Sequence, residues 1–196
     1  ADALSTSFTE TAFEGEVGDT YGLGAIIITG DLDLDANITS ASSLSVSADT
    51  NLAADVTTSG TQTYGDDAES DTVTLEAAIN FTTTDSNITF NSIIDSNNAT
   101  PKAITIDMDN SGVEEDGTVT FAGVVGTNED VAAISITGNL DLNAAIGSGA
   151  TAGATSISVS GASNLGASVT TTGSQTYTGA VTLSADVVLT TTNNNA

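Results

Sequence analysis

The feature that most limits how this chain can fold is a long internal repeat. The segment ITGDLDLDANI at residues 28–38 returns as ITGNLDLNAAI at residues 136–146, which is an offset of 108 residues. Over residues 13–38 against 121–146, 14 of 26 positions are identical. Self-similarity at a long fixed period is typical of architectures that stack equivalent units. It is not what an enzyme with a single site requires.

A second repeated segment shows where the two copies differ. VTTSGTQTY at residues 56–64 returns as VTTTGSQTY at residues 169–177, and here the offset is 113 before it returns to 108. The second copy therefore has about five extra residues near 147–156, and the first has about five extra near 66–70. Both insertions consist mainly of Gly, Ser, Ala, Thr, Asp and Glu, so we expect both to be loops.

Within each copy the hydrophobic pattern has a period of two. Segments such as TVTLEA at residues 72–77, AITIDMD at residues 103–109 and SISVS at residues 156–160 alternate apolar residues with Thr, Ser, Asp or Glu. Such alternation predicts short, half-buried β-strands and almost no helix. In the second segment we expect Ile104, Ile106 and Met108 to face the core.

Two all-β folds are compatible with this pattern. A period of 108 suits tandem Ig-like β-sandwiches of about 100 residues, and it also suits a parallel β-helix (β-solenoid) with about five coils of about 20 residues per repeat. We favour the solenoid, because sandwich cores usually contain a large aromatic anchor and this chain has only five Phe, three Tyr and no Trp. Tyr64 and Tyr177 recur in both copies. The predicted divisions are residues 1–24 as the end of a preceding repeat or an N-terminal pairing segment, 25–132 as repeat one and 133–196 as a partial repeat two.

Three stretches of the chain resemble a known family. The segments TTGSQTYTGAVTLSADVVLTTT at residues 171–192, NITFNSIIDS at residues 87–96 and the stretch from GTVTFAGVVG to ISITGNLDLNAAI at residues 117–146 are similar to the repeats of filamentous-haemagglutinin-like bacterial exoproteins. The resemblance implies a secreted or surface-displayed protein with a right-handed parallel β-helix shaft, used in adhesion, filament building or the cell envelope. It implies no catalytic residues.

The charge balance excludes several classes of partner. The chain has 26 acidic residues, one Lys, no Arg and no His, for a formal net charge of −25. Nucleic acids and anionic membranes both require clustered cations, so neither is an expected partner. No stretch approaches the roughly 20 apolar residues of a membrane span, so we expect no membrane insertion. Without His or Cys there is no ordinary nucleophile and base pair, and we predict that the protein is not an enzyme.

One acidic motif is a candidate metal site. In DLDLD, the side chains of Asp31, Asp33 and Asp35 should point to one face of a strand, where carboxylates from a neighbouring coil could help them to bind Ca²⁺. The alternative is a solvated acidic face, and copy two favours it, because NLDLN keeps only Asp141. Apart from Ca²⁺ at this motif, we predict no cofactor.

These patterns lead to one main functional expectation and one alternative. We expect a structural or adhesive extracellular protein that forms a β-rich rod or filament on the bacterial surface. Neither terminal segment resembles the polar cap of a solenoid, so we expect a homopolymer joined through its ends, with a host or neighbouring-cell surface as a further partner. The alternative is a Ca²⁺-dependent carbohydrate- or protein-binding module of a larger adhesin.

Overall fold

A computed structural model describes residues 2–109, 116–148 and 153–193 of the chain. The described residues form β-strands, turns and bends, and none of them forms a helix that could cross a membrane. The predicted loop near 66–70 is confirmed, whereas part of the loop predicted at 147–156 lies outside the described residues. The strands are β1 (Leu4–Phe13), β2 (Leu23–Leu34), β3 (Ile38–Val46), β4 (Thr50–Leu52), β5 (Val56–Thr58), β6 (Gln62–Tyr64), β7 (Thr72–Leu75), β8 (Ile79–Thr82), β9 (Ile88–Phe90), β10 (Ile93–Ser96), β11 (Ile104–Asp107), β12 (Thr118–Phe121), β13 (Val131–Thr137), β14 (Asn139–Leu142), β15 (Ala154–Val159), β16 (Ser163–Leu165), β17 (Val169–Thr171), β18 (Gln175–Tyr177), β19 (Val181–Leu183) and β20 (Leu189–Thr191).

Every strand pairs in parallel with strands one coil away, which makes the chain a parallel β-solenoid of about eight turns. The strands stack into three columns, which we call faces A, B and C. Face A includes β6, β9, β12, β14, β16 and β19, face B includes β4, β7, β10, β17 and β20, and face C includes β5, β8, β11, β13, β15 and β18. The parallel pairing confirms the solenoid and is incompatible with the antiparallel sheets of Ig-like sandwiches.

The first three strands are longer than the rest because each turns a corner between two faces. The two halves of β1 pair with the two halves of β2 on faces A and B, with a register shift between Ser7 and Glu10. β3 begins on face C, where Ile38 pairs with Val56, and ends on face A. The alternation of the sequence therefore continues through the corners, and side chains at every second position point inward.

The core is a narrow column of aliphatic residues inside the three faces. Ile104, Ile106 and Met108 are at most 1% exposed, whereas Thr105 is exposed and Asp107 is half-buried, so the predicted register of this segment is confirmed. Four aromatic side chains, Tyr64, Phe81, Phe90 and Phe121, pack together in the middle of the rod. On face A, Tyr64 stacks on Phe90 and Phe90 on Phe121, with ring centroids 5.1 and 5.5 Å apart.

The sequence repeat does not contain a whole number of coils. We count one strand position for each face that a coil crosses, so β1, β2 and β3 count twice and the single bridge residues Val17, Val125 and Ile146 count once each. By this count Ile28 and its repeat equivalent Ile136 are fourteen positions apart. At three positions per coil this separation is four and two-thirds coils. Ile28 accordingly lies on face A and Ile136 on face C. Copy two is therefore rotated by one face relative to copy one, where the sequence predicted about five whole coils.

Glycines permit the tight turn that both copies use after face B or C. Gly18 and its repeat equivalent Gly126 have φ angles of +84° and +71°, in the left-handed region that L side chains rarely adopt. A Cβ at either position would also clash with a backbone carbonyl of the next coil, of Ser40 and Gly153 respectively. The repeated glycine thus has a steric cause that does not depend on the face it occupies.

Candidate functional site

Parallel stacking brings three carboxylates into one groove on face B. Glu10 of β1 is the register partner of Asp31 of β2, and the pairing of Leu32 with Thr50 places Asp49 one coil further along. These residues line a groove of about 460 Å³ together with polar side chains of β4 and β7. Because neighbouring coils lie about 4.8 Å apart, the three acids form a ladder that no single segment of the sequence contains.

The three acids of the DLDLD motif have different neighbours in the structure. Asp31 faces the groove, Asp33 is half-buried beside Asn51, and Asp35 follows the end of β2, where its N–H donates to the Phe13 carbonyl at 3.1 Å. Among the described ranges, no group of three or more acidic, His or Cys side chains is arranged to hold a metal ion. The Ca²⁺ site at these residues stays a prediction.

Several other polar side chains bind the next coil. The Thr72 N–H donates to Asp49 Oδ1 at 2.8 Å, and the Asn80 N–H donates to Asp55 Oδ1 at 2.8 Å. Asn87 and Asn139 accept hydrogen bonds in the same way from backbone N–H groups one coil further along, each at 2.9 Å. Asp and Asn just before a strand or at its first residue therefore connect the coils, and part of the acidity of this chain is structural.

The most buried carboxylate among the described residues also has a structural role. Asp95 is 5% exposed, and its oxygens accept hydrogen bonds from the Thr127 N–H at 2.7 Å and from the Asn128 side chain at 2.8 Å. In the exposed turn of the first copy, hydrogen bonds from Glu69 and Ser70 lower the pKa of Asp67. Both carboxylates order loops that join strands on different faces.

The second repeated segment builds the same internal corner in both copies. Gln62 points into the core, where its Nε2 donates to the Thr82 carbonyl at 3.0 Å and to the Val56 carbonyl at 3.3 Å. In copy two, Gln175 Nε2 donates to the carbonyls of Thr190 and Val169 at 2.9 and 3.2 Å. A buried glutamine that joins its own coil to the next explains why the segment recurs.

The two corners differ in one hydrogen bond. In copy one Tyr64 Oη donates to Gln62 Oε1 at 3.0 Å, whereas the buried Oε1 of Gln175 and Oη of Tyr177 have no partner. Burial raises the pKa of Tyr177 to about 12, and it raises that of fully buried Tyr64 well above the ordinary value. The sequence analysis assigned no role to Gln62 and Gln175, although the identical spacing of Gln and Tyr in the two copies was a signal.

Two strand edges of the solenoid are open in the described chain. β1 pairs with β2 alone, and β18, β19 and β20 each pair on one side only. On the second of these edges, Val181, Leu183, Val188 and Leu189 are between 47% and 63% exposed. The copy-one equivalents of Val181 and Leu183 are Val73 and Leu75 of β7, and both are fully buried. The open edge is therefore an apolar surface of the kind that pairs with another strand.

The single lysine of the chain has a local role. Lys102 lies in the loop between β10 and β11, where its Nζ donates to the Thr100 carbonyl at 2.8 Å and lies 3.4 Å from Asn98 Oδ1. The chemical groups on the surface of the described coils are mainly carboxylates, hydroxyls and amides.

Comparison of the chain with models of known families, with curated proteins and with solved structures finds no match.

Proposed function

We propose that this chain is a structural or adhesive extracellular protein that forms a β-rich rod or filament on the bacterial surface. The observation that carries the proposal is a regular rod with an unpaired strand edge at each end, one of them apolar. Unpaired N–H and C=O groups of such edges favour the addition of further strands. The resemblance to filamentous-haemagglutinin-like repeats supports the same function and a secreted or cell-surface location.

The surface chemistry also supports a structural role. A net charge of −25 keeps the sides of neighbouring rods apart and soluble, because like charges repel. Contacts are then most favourable at the apolar edge, which has a single acidic residue, Asp186. This combination favours growth along the rod axis over lateral clustering.

Electron microscopy of the purified chain tests the proposal. We expect fibres about as wide as one solenoid, and dispersed particles at every concentration would contradict it. Deleting residues 187–196, or residues 1–12, should abolish the fibres and leave a soluble β-rich monomer, which circular dichroism would confirm. If both truncated forms still polymerise, the ends are not the joint.

A further inference from the structure

The open apolar edge formed by β18, β19 and β20 is covered in copy one. There the equivalent strands β6, β7 and β8 are covered by β9, β10 and β11, and Gln62 and Tyr64 are fully buried. In copy two the same segment, residues 169–177, leaves Gln175 and Tyr177 half-buried. Gln175 Oε1 and Tyr177 Oη are buried there and have no hydrogen-bond partner. The repeat itself thus shows what this edge accepts, which is one more coil of parallel strands.

We propose that the occupant is the first coil of a second copy of this chain, and that the second copy docks rotated by one face. This inference rests on the filament proposed above and specifies its joint. β1 has an unpaired edge of the required kind, with Leu4, Thr11 and Phe13 on its inward side and partly or fully buried.

The count of strand positions sets the rotation. From Leu4 to Thr191 the described solenoid has 26 positions, which are the twenty strands, the second halves of β1, β2 and β3, and the three bridge residues. At three positions per coil this is eight and two-thirds coils. Along the open edge, β18, β19 and β20 therefore each lie one third of a coil further along the rod axis than the strand before. The next position in the solenoid lies on top of β18. A second copy continues the helix without a gap when its first strand half, Leu4–Ser7, stacks on β18.

This joint has a definite register. Inward positions must stack on inward positions, so Leu4 lies over Gln175, Thr11 over Val181 and Phe13 over Leu183. The outward residues Ala12 and Thr182 then lie opposite each other across the joint. In an unrotated joint, face B of one copy would continue into face B of the next, so that Ala12 would lie over Thr190 and β18 would stay uncovered.

The charge distribution favours joining unlike ends. Asp186 is the single acidic residue after Asp141, whereas Glu10, Glu14 and Glu16 all lie in the first coil. In the rotated joint these acids approach the other end of the rod, where residues 154–193 contain a single acidic residue, Asp186. A joint between two first coils would instead bring their carboxylates together, which costs free energy. A contact between unlike ends does not close, so it produces a filament.

Paired cysteine substitutions in the full chain test the register, because the chain has no native cysteine. The variant Ala12→Cys/Thr182→Cys should form a ladder of covalent multimers on mild oxidation. Adjacent coils are about 4.8 Å apart, within the Cα separation of about 4.4 to 6.8 Å that disulfides span. The two positions within one molecule are seven and two-thirds coils apart and cannot link. The matched variant Ala12→Cys/Thr190→Cys should stay largely monomeric on a non-reducing gel.

Five outcomes separate the possibilities. A ladder from the first variant and none from the second supports the rotated joint. The reverse result overturns it in favour of the unrotated joint, and dimers from Ala12→Cys alone overturn it in favour of joining like ends. Fibres without cross-linking of either pair overturn the register but leave the filament in place. Absence of fibres for the unsubstituted chain overturns the filament itself, together with this joint.

Discussion

Replacement of Gln62 by Leu should destabilise the rod far more than the same replacement of Gln175. Leu keeps the approximate volume but removes the amide that joins the coils of Val56 and Thr82, and it leaves the Tyr64 hydroxyl buried without its acceptor. An orphaned buried polar group costs about 1–3 kcal/mol, and each lost hydrogen bond adds about 1 kcal/mol. We therefore expect a loss of about 2–4 kcal/mol in the free energy of unfolding.

Gln175→Leu provides the matched control. Gln175 is half-buried and its Oε1 already lacks a partner, so the substitution orphans no hydroxyl. We expect it to cost about 1 kcal/mol. Urea unfolding of both variants, at concentrations too low for fibres, measures the difference through the transition midpoints.

A double substitution tests the stated cause. In Gln62→Leu/Tyr64→Phe the orphaned hydroxyl is removed as well, so about 1–2 kcal/mol of the loss should return. Equal costs for Gln62→Leu and Gln175→Leu, or no recovery in the double variant, would refute the reasoning from the buried amide.

Three further predictions concern the core, the charge and the tyrosines. Ile106→Asp places a carboxylate at a fully buried position and should cost at least about 3 kcal/mol, whereas Thr105→Asp on the exposed side should hardly change the melting temperature; equal effects would show that the register is wrong. Because the net charge is −25, the melting temperature should rise with NaCl. Millimolar Ca²⁺ should raise the melting temperature further at equal ionic strength, and it should do so less in Asp31→Asn. Identical shifts with both salts, or insensitivity to EDTA and Ca²⁺, would remove any role for cation bridging. Burial raises the pKa of Tyr177 to about 12, so the folded protein keeps a proton that the unfolded chain releases near pH 10. The stabilisation should therefore be fully present below about pH 10 and decrease as the pH rises toward 12. A smaller decrease in Tyr177→Phe, followed by circular dichroism, would confirm the sign.

The strands and their inward faces could be predicted because they depend on local alternation. Ile104, Ile106 and Met108 lie inward as the pattern requires, and the insertion near residues 66–70 is a loop between β6 and β7. These features follow from the period of two and from turn chemistry, both of which are visible within a few residues.

The contacts between coils could not be predicted, because they depend on the length of every turn. Ile26 and Leu44 are 18 residues apart and Ile88 and Val119 are 31 apart, yet each pair lies on adjacent coils. The ladder of Glu10, Asp31 and Asp49 depends on these lengths, and so does the rotation of copy two by one face. One signal was available, since Asp31 and Asp49 are separated by the same 18 residues as the shortest coils.

A helical reconstruction of the filaments by electron cryomicroscopy tests most directly that these rods join end to end as one continuous solenoid. We predict parallel strands about 4.8 Å apart along the fibre axis, a rise of about 42 Å per subunit from eight and two-thirds coils, and β1 of each subunit stacked on β18 of its neighbour. Strands that run along the fibre axis, or subunits joined through the sides of the rod with their β18 edges uncovered, would contradict it.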